Sequence, residues 1–173
     1  MDVSEEHGDS EGPGEAFRLL FVCTGNTCRS PMAQAIAQEE IRRRGWTQVE
    51  VASAGVAAAV ALPASPQAVR VAGEVGLDLT SHRSSPLSSE ALERADLILT
   101  MGPGHLAELE RAGMEGRAAL ITAFAEGREE AGSADGGVPD PVGGGEEEYR
   151  TALQELRRLV NQVLDRLEPM LAP

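Results

Sequence analysis

Residues 17–23, FRLLFVC, are the strongest constraint on the fold of this chain. The run is mostly bulky and apolar on both parities, as in a strand buried on both faces. It is followed at once by TGNTCRSP, a turn sequence whose Ser30-Pro31 pair signals a helix start, with Ser30 as a cap candidate. That helix is expected to end near Arg44-Gly45. The same alternation then recurs. VEVASAG (49–55) reads as a strand and SPQAVRVAGEVG (65–76) as a helix with a Ser cap and a Gly stop. LDLTSHRSSPLS is a loop, SSEALERA (88–95) a short helix, DLILTM (96–101) a third strand and GPGHLAELERAG (102–113) a helix. Ala118 to Thr122 is a weak fourth strand, 126–145 a long polar loop, and 146–168 a long amphipathic helix. In that last helix Tyr149, Leu153, Leu156, Val160, Val163, Leu164 and Leu167 form one apolar stripe, expected to pack on the sheet.

Strands alternating with helices imply a parallel sheet covered on both sides, and right-handed crossovers leave few topologies. The expectation is an α/β, three-layer fold with a small four-stranded parallel sheet in flavodoxin-like order (2-1-3-4). Residues 1–16 are acidic and Gly/Pro-containing, and are expected to be a disordered tail. Residues 17–173 are expected to form a single domain. With a net charge of −13, the chain lacks the clustered cations that nucleic acid requires. No apolar run approaches a membrane span, and nothing resembles a signal peptide. Two cysteines close together do not suggest a secreted disulfide scaffold, so the expected compartment is the cytoplasm. An anionic substrate would meet an unfavourable overall field, which a local positive site has to overcome.

In open α/β sheets ligands bind where strands end and the strand order reverses, and CTGNTCRS lies at such a place. The amides from Thr24 through Gly25, Asn26, Thr27 and Cys28 to Arg29 can curl into an anion-binding nest on the helix N-terminus. Those donors and the helix dipole favour a thiolate on Cys23 and also bind a tetrahedral oxyanion. Arg29, six positions after Cys23, can offer two parallel hydrogen bonds to phosphate oxygens. Gly25 and Asn26 tolerate the left-handed backbone that closes so tight a loop. Competing readings are weaker. Zinc has too few ligands, with three histidines and no third cysteine. A redox dithiol would have the wrong spacing and leave Asn26 and Arg29 unexplained. A buried small hydrophobe suits Cys28 but not Cys23. The GxxxxGK[ST] nucleotide loop is absent.

The spacing C-x5-R-[ST] after a strand closely resembles the low-molecular-weight protein-tyrosine-phosphatase family, including its protein-arginine-phosphatase members. The resemblance extends over VCTGNTCRSPMA, the SAG at 53–55, SHRSSPL at 81–87, ADLILTM at 95–101 and PDPVGG at 139–144. It implies hydrolysis of phosphotyrosine or phosphoarginine in proteins, with no cofactor and no metal. Cys23 is then similar to the nucleophile that forms a phosphocysteine. Arg29 and the loop amides resemble the transition-state clamp, and Ser30 the hydroxyl that hydrogen-bonds the thiolate. Asp140 resembles the general acid. Asn26, Ser53 and His82 resemble a network that holds the loop closed, although Ser53 and His82 fit an ordinary loop role almost equally well. Cys28 matches a second cysteine that can form a disulfide with the nucleophile. His105 reads only as a residue near a helix start. Phosphorylated proteins and phosphate-like oxyanions are the implied partners, with no nucleic acid or membrane.

Within the family, a Thr four positions after the nucleophile resembles the arginine-directed branch, and this chain has Thr27; drift at a small-residue site is the competing reading. SSPL at 84–87 resembles the same branch. Two positions depart from the pattern. Val142 stands where an aromatic usually follows Asp-Pro, and Val56-Ala57-Ala58-Ala59 stands where another aromatic wall often follows SAG. Both departures remove stacking and cation–π attraction, which implies a wider pocket. Arsenate reductases share a similar loop, but those using three cysteines need further ones downstream of Cys28. A non-catalytic phosphoprotein-binding domain would be expected to lack Cys23 or Asp140.

Overall fold

A computed structural model describes residues 15–128 and 136–171. The expected tail falls almost wholly outside the described residues, as does the middle of the long polar loop. Ten elements follow in chain order: β1 (Phe17–Cys23), α1 (Arg29–Arg44), β2 (Val49–Gly55), α2 (Pro66–Glu74), α3 (Ser89–Arg94), β3 (Leu97–Thr100), α4 (Pro103–Arg111), β4 (Ala118–Leu120), α5 (Ile121–Ala125) and α6 (Glu146–Leu171). The sheet has four strands in the order β2-β1-β3-β4, and every neighbouring pair is parallel. The expected fold class and strand order are therefore borne out.

The two-residue period of β1 divides its side chains between two cores. Leu19, Phe21 and Cys23 join the larger core, with α1, α2, α5 and α6. Leu20 and Val22 join the smaller one, with Ala54, Leu92, Ile98 and Leu109. This parity turns Cys23 toward the side of the sheet that α1 covers. All seven residues of the expected α6 stripe are buried, together with Ala152 and Leu159. The stripe is core, and each large side chain in it contributes on the order of 2 kcal/mol of burial.

The caps explain most boundaries. Gly45 ends α1 at φ 72°, where its N–H reaches Arg42 O. The Ser65 hydroxyl accepts from Ala68 N–H to start α2, and Ser88 accepts from Ala91 N–H to start α3. Three expectations need correction. Ser30 does not cap α1, because the helix already begins at Arg29 behind an N-cap at Cys28 and the Ser30 hydroxyl is engaged elsewhere. The weak fourth strand stops at Leu120, and Ile121 and Thr122 belong to the short helix α5. Ile121 is fully buried among the α6 stripe residues, so tertiary packing overrides its β-branched preference for strand. Finally, α6 continues through Pro169 to Leu171 rather than ending at Glu168.

Candidate active site

The site is built where β1 runs out. Cys23 is its last residue, and the chain turns through Thr24–Cys28 into the first turn of α1. Asn26 occupies the left-handed region at φ 56°, is fully buried, and organises the turn. Its main-chain N–H donates to Cys23 Sγ at 3.3 Å. Its carbonyl accepts from His82 Nε2 at 2.7 Å. Its Oδ1 accepts from Ser85 N–H at 2.8 Å, which fixes the orientation of the amide because a main-chain N–H can only donate. Its Nδ2 therefore donates, to Ser30 Oγ at 2.8 Å and Ser53 Oγ at 2.9 Å.

Ser30 Oγ accepts from Asn26 Nδ2 and lies 2.9 Å from Cys23 Sγ. Toward a Cys23 thiolate, which can only accept, both the Ser30 hydroxyl and Asn26 N–H are placed to donate. Ser53 passes its own hydrogen to Gln34 Oε1 at 2.6 Å.

Cys28 has a different setting. Its Sγ donates to Ser65 Oγ at 3.3 Å and lies 3.5 Å from the hydroxyl of Tyr149, in the first turn of α6. Burial first, and then the bond to Cys28, push the Tyr149 phenol above its ordinary range. Both cysteines are buried and free. No described residue accepts the N–H of Gly25, Thr27 or Cys28. The Thr27 carbonyl accepts from Ser65 N–H at 2.9 Å, and the Thr27 hydroxyl lies 3.7 Å from Cys28 Sγ.

Arg29 is 6% exposed, and its Nη1 donates to Val138 O at 2.9 Å. Its Nη2 lies 3.4 Å from Asp140 Oδ2. The segment carrying Asp140 hangs from the sheet as well, since Val138 N–H donates to Met101 O at 2.8 Å. Gly137 makes this approach possible: it sits at φ +70°, and a Cβ there would lie 2.1 Å from Met101 O. Asp140 Oδ1 accepts from Val142 N–H, and its side chain stays 45% exposed at the mouth of the site. The segment after β2 closes the opposite wall. Ala57 N–H donates to Thr24 O, and a Cβ at Gly55 would lie 2.4 Å from the same oxygen. Val142 is 64% exposed and touches none of these groups by hydrogen bond other than Asp140.

Cys23, Thr24, Gly25, Asn26, Thr27, Cys28, Arg29, Ser30, Ser53, His82 and Asp140 are thus brought to one place. Of the two roles open to Ser53 and His82, both residues bond Asn26 directly. The sequence reading missed Gln34, Ser85, Val138 and His105. His105, at the start of α4, places Nε2 2.8 Å from Thr24 Oγ1 and accepts from Gly102 N–H at Nδ1. A histidine three residues into a helix gives no local signal of this contact. Among the described residues, no cluster of three or more His, Cys, Asp or Glu could hold a metal ion, and no helix is long and apolar enough to cross a membrane.

A thiol beside a main-chain N–H and a hydroxyl, a buried guanidinium and an exposed carboxylate around one anion-sized turn form the set of groups that thiol-dependent hydrolysis of a phosphoric monoester calls for. The sequence profile described as "Low molecular weight phosphotyrosine protein phosphatase" matches residues 18–171. The chain belongs to this family of low-molecular-weight protein phosphatases. It is 38% identical to the protein-arginine-phosphatase of Geobacillus stearothermophilus, over 88% of this chain and 97% of the relative. It is 32% identical to the low-molecular-weight protein-tyrosine-phosphatase Etp of Escherichia coli K12, over 86% and 93%. Among solved structures it is similar to a Cys-to-Ser variant of YwlE arginine phosphatase described as having a phosphorylated active-site serine. The TM-score is 0.79 at 35% identity, covering 88% of this chain and 96% of that one.

Proposed function

We propose that this chain hydrolyses phosphoarginine in proteins through a phosphocysteine formed on Cys23. The observation that carries the reading is the sulfur of Cys23 within reach of Asn26 N–H and the Ser30 hydroxyl, with Arg29 and Asp140 paired at the same mouth. Phosphoryl transfer asks the protein mainly for positioning and for charge on the equatorial oxygens. The amides of Gly25, Thr27 and Cys28 and the Arg29 fork receive those oxygens, so that phosphate takes over the guanidinium that Asp140 faces at rest. The Cys23 thiolate then attacks phosphorus, the P–N bond breaks, and Asp140 gives its proton to the departing guanidine nitrogen. In the second half Asp140, now a carboxylate, takes a proton from water. The water oxygen attacks phosphorus, the S–P bond breaks, and Ser30 O–H steadies the leaving sulfur. Ser53 and His82 act only by holding Asn26.

Thr27 supports the choice of guanidine over phenol. It stands within the turn, four residues after Cys23, and its hydroxyl is a group able to orient the attacking water or the guanidinium. The relative that is a protein-arginine-phosphatase points the same way. Residues 17–173 act as one catalytic domain, 1–16 as a solvating tail, and the enzyme works in the cytoplasm on phosphorylated proteins. The test is steady-state kinetics with matched phosphoarginine and phosphotyrosine peptides, repeated with Thr27→Ile. The expected result is a preference for phosphoarginine that moves toward phosphotyrosine in the variant. Equal preference in both proteins would remove Thr27 as the discriminator. A wild-type preference for phosphotyrosine would reverse the substrate assignment.

A further inference from the structure

We propose that His105 is a positioning residue for the phosphate loop, its Nε2–H holding the Thr24 hydroxyl and with it the Thr24–Gly25 half of the turn. His105 is 9% exposed, and its Nδ1 accepts from Gly102 N–H at 3.1 Å. A ring nitrogen that accepts a main-chain N–H carries no proton, so the neutral ring has its hydrogen on Nε2. That hydrogen points along the 2.8 Å contact to Thr24 Oγ1, which lies 81 residues away in the chain. Burial first, and then Arg29, hold the imidazole below its ordinary range, while Glu108 and Asp140 act in the opposite sense. The neutral ring therefore has one tautomer and a single donor direction.

The arrangement has a counterpart across the turn. His82 donates to the Asn26 carbonyl at 2.7 Å, so two imidazoles, one from a loop and one from α4, flank Gly25, the most pliable residue of the turn. They do different work. The Asn26 side holds both polar groups that meet the Cys23 sulfur, its own N–H and the Ser30 hydroxyl. The Thr24 side touches the sulfur with nothing and bears only on the amides that receive the oxyanion. Thr24 is itself solvent-exposed, so its bond to His105 adds little to the packed core. Its main-chain oxygen is held separately by Ala57 N–H. What His105 adds is a fixed position for the residue just after Cys23.

This inference rests on the oxyanion-cradle reading above, and the experiment separates the two. Vanadate inhibition, kcat and KM for p-nitrophenyl phosphate, and the pH midpoint of Cys23 alkylation (read by mass spectrometry) are measured for wild type, His105→Ala, Thr24→Val and the double variant. Thr24→Val exchanges the hydroxyl of an exposed residue for a methyl and keeps the His105 ring in place, and so guards against a His105→Ala variant that fails to fold. Each single change is expected to weaken vanadate inhibition about fivefold, the loss of one ordinary hydrogen bond. The double variant is expected to lose no more than either single one, and the alkylation midpoint to stay where it is in wild type. Unchanged inhibition in Thr24→Val, losses that multiply in the double variant, or a shifted alkylation midpoint in Thr24→Val each overturn the proposal. A wild-type chain that neither hydrolyses p-nitrophenyl phosphate nor binds vanadate overturns the functional reading itself, and this proposal with it.

Discussion

Cys23 and Cys28 lie five residues apart in one turn, both buried and both free, yet their surroundings differ in kind. Cys23 ends a strand, accepts from Asn26 N–H and lies 2.9 Å from the Ser30 hydroxyl. Cys28 caps a helix from behind and shares hydroxyl partners, Ser65 and Tyr149, that can both give and take. Burial and sequence proximity do not separate the two; what separates them is the Asn26 main-chain N–H, which can only donate, aimed at the Cys23 sulfur.

The sharpest break of this contrast is Cys23→Ser, which should reduce p-nitrophenyl phosphate hydrolysis to below about a thousandth while circular dichroism stays native. Cys28→Ser should cost far less than that; equal losses from the two changes would erase the distinction. Next in size is Asp140→Ala, expected to slow turnover about 10²- to 10³-fold for esters with poor leaving groups and much less for good ones. Loss independent of the leaving group would remove Asp140 as the acid. Gly55→Ala puts a Cβ 2.4 Å from Thr24 O, beside the Cys23 half of the turn. It should lower stability by about 1–3 kcal/mol, read from urea midpoints, and reduce activity with it. Tyr149→Phe removes a partner of Cys28 and should cost about 1 kcal/mol of stability, with kcat changed less than in any variant above. Smallest of all is EDTA, expected to leave hydrolysis unchanged, because Arg29 and the amides supply the charge that a metal would otherwise provide.

Legibility followed distance along the chain. The turn from Cys23 to Ser30 could be read because its parts are covalently close and their spacing alone brings them within one helical turn. The apolar stripe of α6 was equally plain, since a helix repeats its face whatever it packs on. The short helix α5 was not, because Ile121 and Thr122 favour strand locally and only burial against α6 decides otherwise. The local pattern at Ser30 pointed to a cap, and the tertiary structure assigned its hydroxyl to a sulfur instead.

The sequence by itself determined the strand, the loop and the helix that follows it, and hence that a thiol and a guanidinium share one turn. It also determined the family and the four-stranded order. Only the tertiary structure decided what holds that turn. Ser85 reaches Asn26 from 59 residues away, His105 reaches Thr24 from 81, and Val138 reaches Arg29 from 109. Such contacts leave no periodic trace in a sequence. They depend on where the sheet brings separate connections together at its carboxyl edge, and no local rule of spacing carries that information.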